Sequence, residues 1–133
     1  MVALADLRLV VVTPETTLLD LPVTSIQFPL FDGQMGVLPG RAPAVGRLGA
    51  GELKYQSGEG ERRYFVDGGF VQIKGSIVTL LTNRAIPVER IDVAAAQAEY
   101  DAAMAQLPTD DAGFERKQKS LDRARKLIAL GRR

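Results

Sequence analysis

From Leu7 to about Val88 the apolar residues fall in short runs separated by turn residues: LRLVVV, TTLLD, VTSIQF, GVL, AVGRL, ELKYQ, RRYFV, FVQIK and SIVTLLT. Runs of this length, rich in Val, Ile, Leu and Thr, read as β-strands. Ser57-Gly58-Glu59-Gly60 and Lys74-Gly75-Ser76 are the turns that join neighbouring runs. Val71 and Ile73 alternate with Phe70, Gln72 and Lys74, and Ile77, Thr79 and Leu81 alternate with Val78, Leu80 and Thr82. Apolar residues therefore stand on both faces of some runs, which a two-layer core would explain. Tyr64, Phe65 and Phe70 read as core, and Gly68-Gly69 as a bulge or tight bend between strands. Many short strands at this spacing predict a sandwich or flattened barrel over residues 1–88.

The period then changes. Val93, Ala96, Tyr100, Ala103, Met104 and Leu107 recur at helical spacing, with Asp92 as N-cap and alanine filling much of the rest. Pro108 to Gly113 breaks this helix and offers caps for a second, in which Phe114, Leu121, Ala124 and Ile128 share one face. Residues 89–133 thus predict a helical hairpin, and the fold class is α+β: an antiparallel β-sandwich followed by two helices. A hairpin with a core of alanines and few large side chains lies below the ~70 residues at which a lone core suffices, so it needs a surface to rest on and leaves it at modest cost.

Composition narrows the chemistry. The chain has no cysteine and no histidine, which removes disulfides, thiolate sites, the usual neutral-pH acid–base group and the commonest metal ligand. Asp20, Glu15 and Ser25 are isolated polar residues with no partner for catalysis, so no enzyme site, cofactor site or metal site is expected. The longest uncharged stretch, Leu21 to Phe31, is far short of the ~20 residues of a membrane helix. The formal net charge is only +1, yet residues 114–133 carry eight basic and two acidic residues, a local charge of +6, and the rest stands at −5. A nearly neutral chain ends in a strongly basic helix.

The stretch DGQMGVLPGRAP, residues 32–43, sets three glycines and two prolines into a stiff, tightly turned loop. It is no phosphate cradle: it contains no lysine, and its glycines do not fit the dinucleotide fingerprint. Taken with Val12-Thr13-Pro14-Glu15, Val23-Thr24-Ser25-Ile26, Gly51-Glu52-Leu53 and Phe65-Val66-Asp67-Gly68-Gly69-Phe70, this loop resembles the epsilon subunits of bacterial F-type ATP synthases, equivalent to mitochondrial delta and chloroplast epsilon.

The resemblance covers nearly the whole chain and implies a central-stalk rotor component. The sandwich would dock on the gamma subunit and the ring of c subunits, with Asp32, Gly33, Gln34, Met35 and Arg41 as contacts. It would reach the membrane only through the complex, at the cytoplasmic face of the bacterial inner membrane. The second helix would carry an inhibitory basic face, Arg116, Lys117, Lys119, Arg123, Arg125 and Lys126, toward the alpha and beta subunits of the catalytic head. Two residues depart from the family pattern. Arg41 stands where histidine is common, so no pH-dependent role transfers to it. Ala95 replaces the arginine of the nucleotide motif in Ile91-Asp92-Val93-Ala94-Ala95-Ala96, so ATP binding is expected to be weak or absent. The rival reading is a small nucleic-acid-binding β-barrel with a basic helix; the acidic first half and the lack of tryptophan count against it.

Overall fold

Glycine decides how the β-rich half is laid out. In the computed structural model, which describes residues 7–31, 33–37 and 44–132, the run pair AVGRL and ELKYQ forms one strand, and so does the pair RRYFV and FVQIK. The strands are β1 (Leu7–Val12), β2 (Thr17–Val23), β3 (Ser25–Leu30), β4 (Gly33–Val37), β5 (Ala44–Ser57), β6 (Gly60–Lys74), β7 (Ile77–Leu81) and β8 (Ala85–Pro87). The long strands keep one register from Ala44↔Ile73 to Ser57↔Gly60, with the pair missing between Gly49 and Gly68. Gly68 and Gly69, inside β6, hold φ of 75° and 114°, values open to glycine and strained for other residues. The expected bend at Gly68-Gly69 is therefore present, but it turns the strand between the two layers without ending it. A Cβ at Gly69 would overlap the carbonyl oxygen of Leu81, so this position excludes a side chain on two counts.

The ladder runs β2-β1-β7-β6-β5-β3-β4, with β8 paired to β6. Neighbours are antiparallel except β1 and β7, which run parallel with Leu9 opposite Val78. Folded over at the glycines, the ladder makes the two layers of a β-sandwich with one shared core. That core takes Leu9, Val11, Val78 and Leu80 from one layer and Phe28, Leu53, Tyr55 and Val66 from the other. Tyr55 and Tyr64 stack with ring centroids 6.4 Å apart, and burial first, then the neighbouring Tyr64, pushes the Tyr55 hydroxyl above its ordinary pKa. Pro29 lies next to a register shift of the β3–β5 ladder between Gln27 and Leu30, where a residue without an N–H does least harm.

Tyr64 and Phe65 are buried as expected, but Phe70 is 56 % exposed. In β6 and β7 the core takes Val71, Ile73, Val78 and Leu80, and Phe70, Ile77 and Leu81 stand on the outer face. Apolar residues on both faces of these strands thus mean one buried face and one bare one, rather than a core on each side.

The contacts divide the chain after Pro87, and the second unit begins at Val88. A single 3-10 turn, Val88–Arg90, leads into α1 (Val93–Met104) and α2 (Asp111–Gly131). Each helix is opened by an aspartate: the Asp92 carboxylate accepts from Ala95 N at 3.1 Å, and the Asp110 carboxylate from Gly113 N at 2.7 Å. Ala96 and Ala103 of α1 are buried, as are Leu121, Ala124, Leu127 and Leu130 of α2. Three large residues of the expected helical faces are instead exposed: Met104 at the last turn of α1, Leu107 beyond its end, and Phe114 in the first turn of α2. α1 stops three residues earlier than the apolar spacing suggests, so that spacing no longer fixes where Leu107 points.

Candidate functional site

The outer face of the sandwich carries a band of bare apolar side chains. Arg47 of β5 lies opposite Phe70 of β6, and Phe70 opposite Leu81 of β7, so the three stand in one row across three strands. Phe31, just past β3, extends the row: the Arg47 guanidinium sits 4.5 Å from its ring centroid. Val45 lies two residues before Arg47, and Ile77 four before Leu81, on the same face. Phe31, Val45, Phe70, Ile77 and Leu81 are between 47 and 76 % exposed. Gln72, Lys74 and Thr79 share this face, so the continuous part is Phe31, Arg47, Phe70 and Leu81, and a contiguous exposed row of this kind marks an interaction surface. In the sequence these residues alternate with equally apolar ones, so nothing there set them apart from the core.

Of the loop residues singled out as contacts, Asp32 and Arg41 lie outside the described residues. Gly33, Gln34 and Met35 fall in β4, opposite Leu30, Pro29 and Phe28. What reads as the first part of a loop is thus largely an edge strand at one end of the sheet order. β4 leaves the turn where Phe31 begins the apolar row.

On α2 the structure divides the six cations. Arg116, Lys119 and Arg125 are exposed and Lys117, Arg123 and Lys126 partly so; Arg116, Lys119, Arg123 and Lys126 recur at three- and four-residue steps, one stripe of the helix. Lys126 pairs with Asp122 one turn back at 3.2 Å. Lys117 and Arg125 lie off that stripe. Lys117 stands four residues before the buried Leu121, and its Nζ donates to the carbonyl oxygens of Met104 and Gln106 at 3.3 and 3.0 Å. Arg125 covers the ring of Tyr100 of α1 at 5.7 Å. The spacing of Lys117 from Leu121 and Ala124 was visible in the sequence and would have assigned it to the packed side.

Ala95, at the position of the motif arginine, spends its backbone N–H on the Asp92 cap and offers only a methyl group to any ligand. No helix among the described residues is long and apolar enough to cross a membrane.

Comparison with known proteins identifies the fold. Residues 6–88 match the ATP synthase delta/epsilon chain β-sandwich domain. The ATP synthase epsilon chain of Rhodopirellula baltica is 53 % identical over 87 residues, covering 65 % of this chain and 68 % of that one. The sodium-ion-specific ATP synthase epsilon chain of Propionigenium modestum is 37 % identical over 123 residues, 91 % of this chain and 90 % of its own. Among solved structures, a chain of the Euglena gracilis mitochondrial ATP synthase, seen by cryo-EM with its F1 and c-ring, superposes with a TM-score of 0.83 at 27 % identity, covering 94 % of this chain and 81 % of that one. A β-sandwich followed by two helices is thus the fold of these proteins, and the chain belongs to the ATP synthase delta/epsilon family.

Proposed function

We propose that the chain is a non-catalytic subunit of the central stalk of a rotary ATP synthase, joining the c-ring to the gamma subunit and so to the catalytic head. The observation that carries this reading is the row Phe31, Arg47, Phe70 and Leu81, an exposed apolar surface of the kind a partner covers. Gamma is the partner assigned to this row, and Asp32, Gly33, Gln34, Met35 and Arg41 are assigned to the c-ring. The complex then holds the chain at the cytoplasmic face of the inner membrane.

The same reading makes α2 a brake. Exposed ion pairs contribute only ~0.2 to 1 kcal/mol each, so the cations of α2 act on an acidic surface of the head as a group. No nucleotide is required, because Ala95 leaves the motif without its phosphate-clamping arginine.

The test is recovery from solubilised membranes. The intact chain is expected to bring down gamma and c subunits. Phe70→Asp with Leu81→Asp, both at exposed positions, should leave the isolated chain folded and abolish recovery. Recovery at the intact level would remove the row from the interface. Removal of residues 114–133 should raise ATP hydrolysis by the assembled complex, most clearly at low salt, because screening within ~10 Å at 0.1 M weakens the brake as salt rises. Equal rates at low and high salt would leave the chain a coupling subunit without a brake.

A further inference from the structure

The row across the outer face of the sandwich holds one charge between apolar neighbours. Arg47 lies opposite Phe70, and its guanidinium sits 4.5 Å from the centre of the Phe31 ring. A guanidinium stacked in this way keeps its N–H donors around its edge, so the ring holds its plane without using its hydrogen-bonding capacity. Among the described residues the Arg47 side chain has no carboxylate partner. All of the row is exposed, and the one group in it that can give direction to a contact is left open.

Charge on this face is one-sided. Register places Arg8 of β1, Asp20 of β2 and Lys74 of β6 on the same face as Arg47. Arg8 pairs with Asp20 at 2.6 Å, which leaves Arg47 and Lys74 without a carboxylate opposite them among the described residues. Residues 1–113 stand at −5, so these cations run against the charge of the unit that carries them. A second copy of the chain is a poor cover for the face, because it brings the same cations and its Asp20 is already engaged. The fitting cover is a protein surface that is apolar and supplies a carboxylate.

We propose that Arg47 is the specificity-determining residue of the row, a receptor for one carboxylate that the partner presents among apolar side chains. The inference rests on the reading of this row as the gamma contact and adds the chemistry that gamma must bring to it. Docking covers Phe31, Phe70 and Leu81, which excludes water from around Arg47 and strengthens a bidentate pair with the carboxylate. Phe31 holds the guanidinium before docking, so less side-chain freedom is lost when the pair forms. A surface without the carboxylate would bury the same guanidinium unpaired, so Arg47 rejects wrong partners as well as binding the right one.

The experiment measures binding of the full-length chain to the purified ATP synthase complex depleted of it. Arg47→Gln, at an exposed position, should leave thermal melting of the isolated chain unchanged and weaken binding by about thirtyfold or more. Phe31→Leu keeps an apolar side chain but frees the guanidinium, and should weaken binding about two- to fivefold, with no further effect when Arg47→Gln is already present. Arg47→Lys sets an amine where zero-length carbodiimide coupling can join it to a carboxylate in contact, and mass spectrometry should find position 47 linked to an aspartate or glutamate of gamma. Binding of Arg47→Gln at the intact level, or coupling of position 47 to no carboxylate of gamma, overturns the receptor. If Phe70→Asp with Leu81→Asp abolishes binding and Arg47→Gln does not, the row stands as the gamma contact and the receptor alone falls. If neither variant changes binding, the row is not the contact and both readings fall.

Discussion

The sandwich and the hairpin bury apolar surface with different materials. The sandwich core is built from Phe28, Leu9, Leu53, Leu80 and the valines and isoleucines between them, closed by long strand pairing. The hairpin sets two buried alanines of α1 against Leu121, Ala124, Leu127 and Leu130 of α2, and adds cations at its edges. Burying a Leu or Phe side chain stabilises by about 1.5–3 kcal/mol, whereas an alanine contributes a fraction of that. The first unit is thereby suited to be a fixed platform, and the second to change partners at small cost.

The comparison breaks most visibly at Gly69. Gly69→Val would force a branched residue to φ of 114° and drive its Cβ into the Leu81 carbonyl, so loss of about 4 kcal/mol or more, and failure to fold at ordinary temperature, is expected. Gly58→Ala, in open space, should change stability by less than about 0.5 kcal/mol. Thermal unfolding of the two variants gives the contrast. Similar melting would mean that the bend between layers tolerates a side chain.

A smaller effect sharpens it. Leu53→Ala in the sandwich core should cost about 2–5 kcal/mol and lower the whole melting transition. Leu127→Ala in the hairpin removes the same atoms but should melt only the helices: far-UV circular dichroism loses helical signal early, and the near-UV tyrosine signal of the Tyr55–Tyr64 stack melts unchanged. Joint melting of both signals in Leu127→Ala would show the two units to be one cooperative body.

Smaller again is the alkaline behaviour of Tyr55. Its folded pKa lies above the ordinary 10.0 because burial penalises the phenolate, so its contribution to stability is fully present below pH 10. That contribution is lost as pH rises from there through the raised folded value, since only the unfolded chain ionises readily in that window. Stability should fall in this window, and less so in Tyr55→Phe. A tyrosine absorbance titration with all residues ionising together near 10 would contradict the burial.

The smallest change belongs to the surface. Arg8 and Asp20 pair at 2.6 Å across β1 and β2, yet both side chains are about half exposed. Asp20→Asn should cost less than about 1 kcal/mol, read from the urea midpoint. A larger loss would show that the outer edge of the sandwich depends on charge as the hairpin does.

Local chemistry was legible in the sequence and long-range pairing was not. Asp92 announced the start of α1, and the turns at Ser57-Gly60 and Lys74-Ser76 appeared where their glycines stand, because caps and turns are decided by a few adjacent residues. Gly68-Gly69 was legible as a bend, but whether a strand continues through it depends on a partner strand on either side. Phe70, Ile77 and Leu81 could be assigned to a strand but not to a face, because composition cannot distinguish an apolar face turned to the core from one kept for a partner. Of the six cations, Arg116 and Lys119 stand as a solvated face would, whereas Lys117 is drawn in by the carbonyl end of a neighbouring helix.

The parallel pairing of β1 with β7 has a consequence in time. The first described strand finds β2 close by, but the β7 edge it must also join lies some seventy residues away, whereas β5 and β6 are joined by a tight turn and pair over nearly their whole length. Loop closure costs more for distant segments, and chains dominated by distant pairings fold more slowly. The long β5–β6 ribbon is therefore expected to form early, with β1 arriving as the closing stroke. Pulse-labelled hydrogen exchange during refolding should protect Leu53 and Tyr64 before Leu9 and Val11. During synthesis every strand of the sandwich is complete before Val93 emerges, so the platform can finish folding before either helix exists.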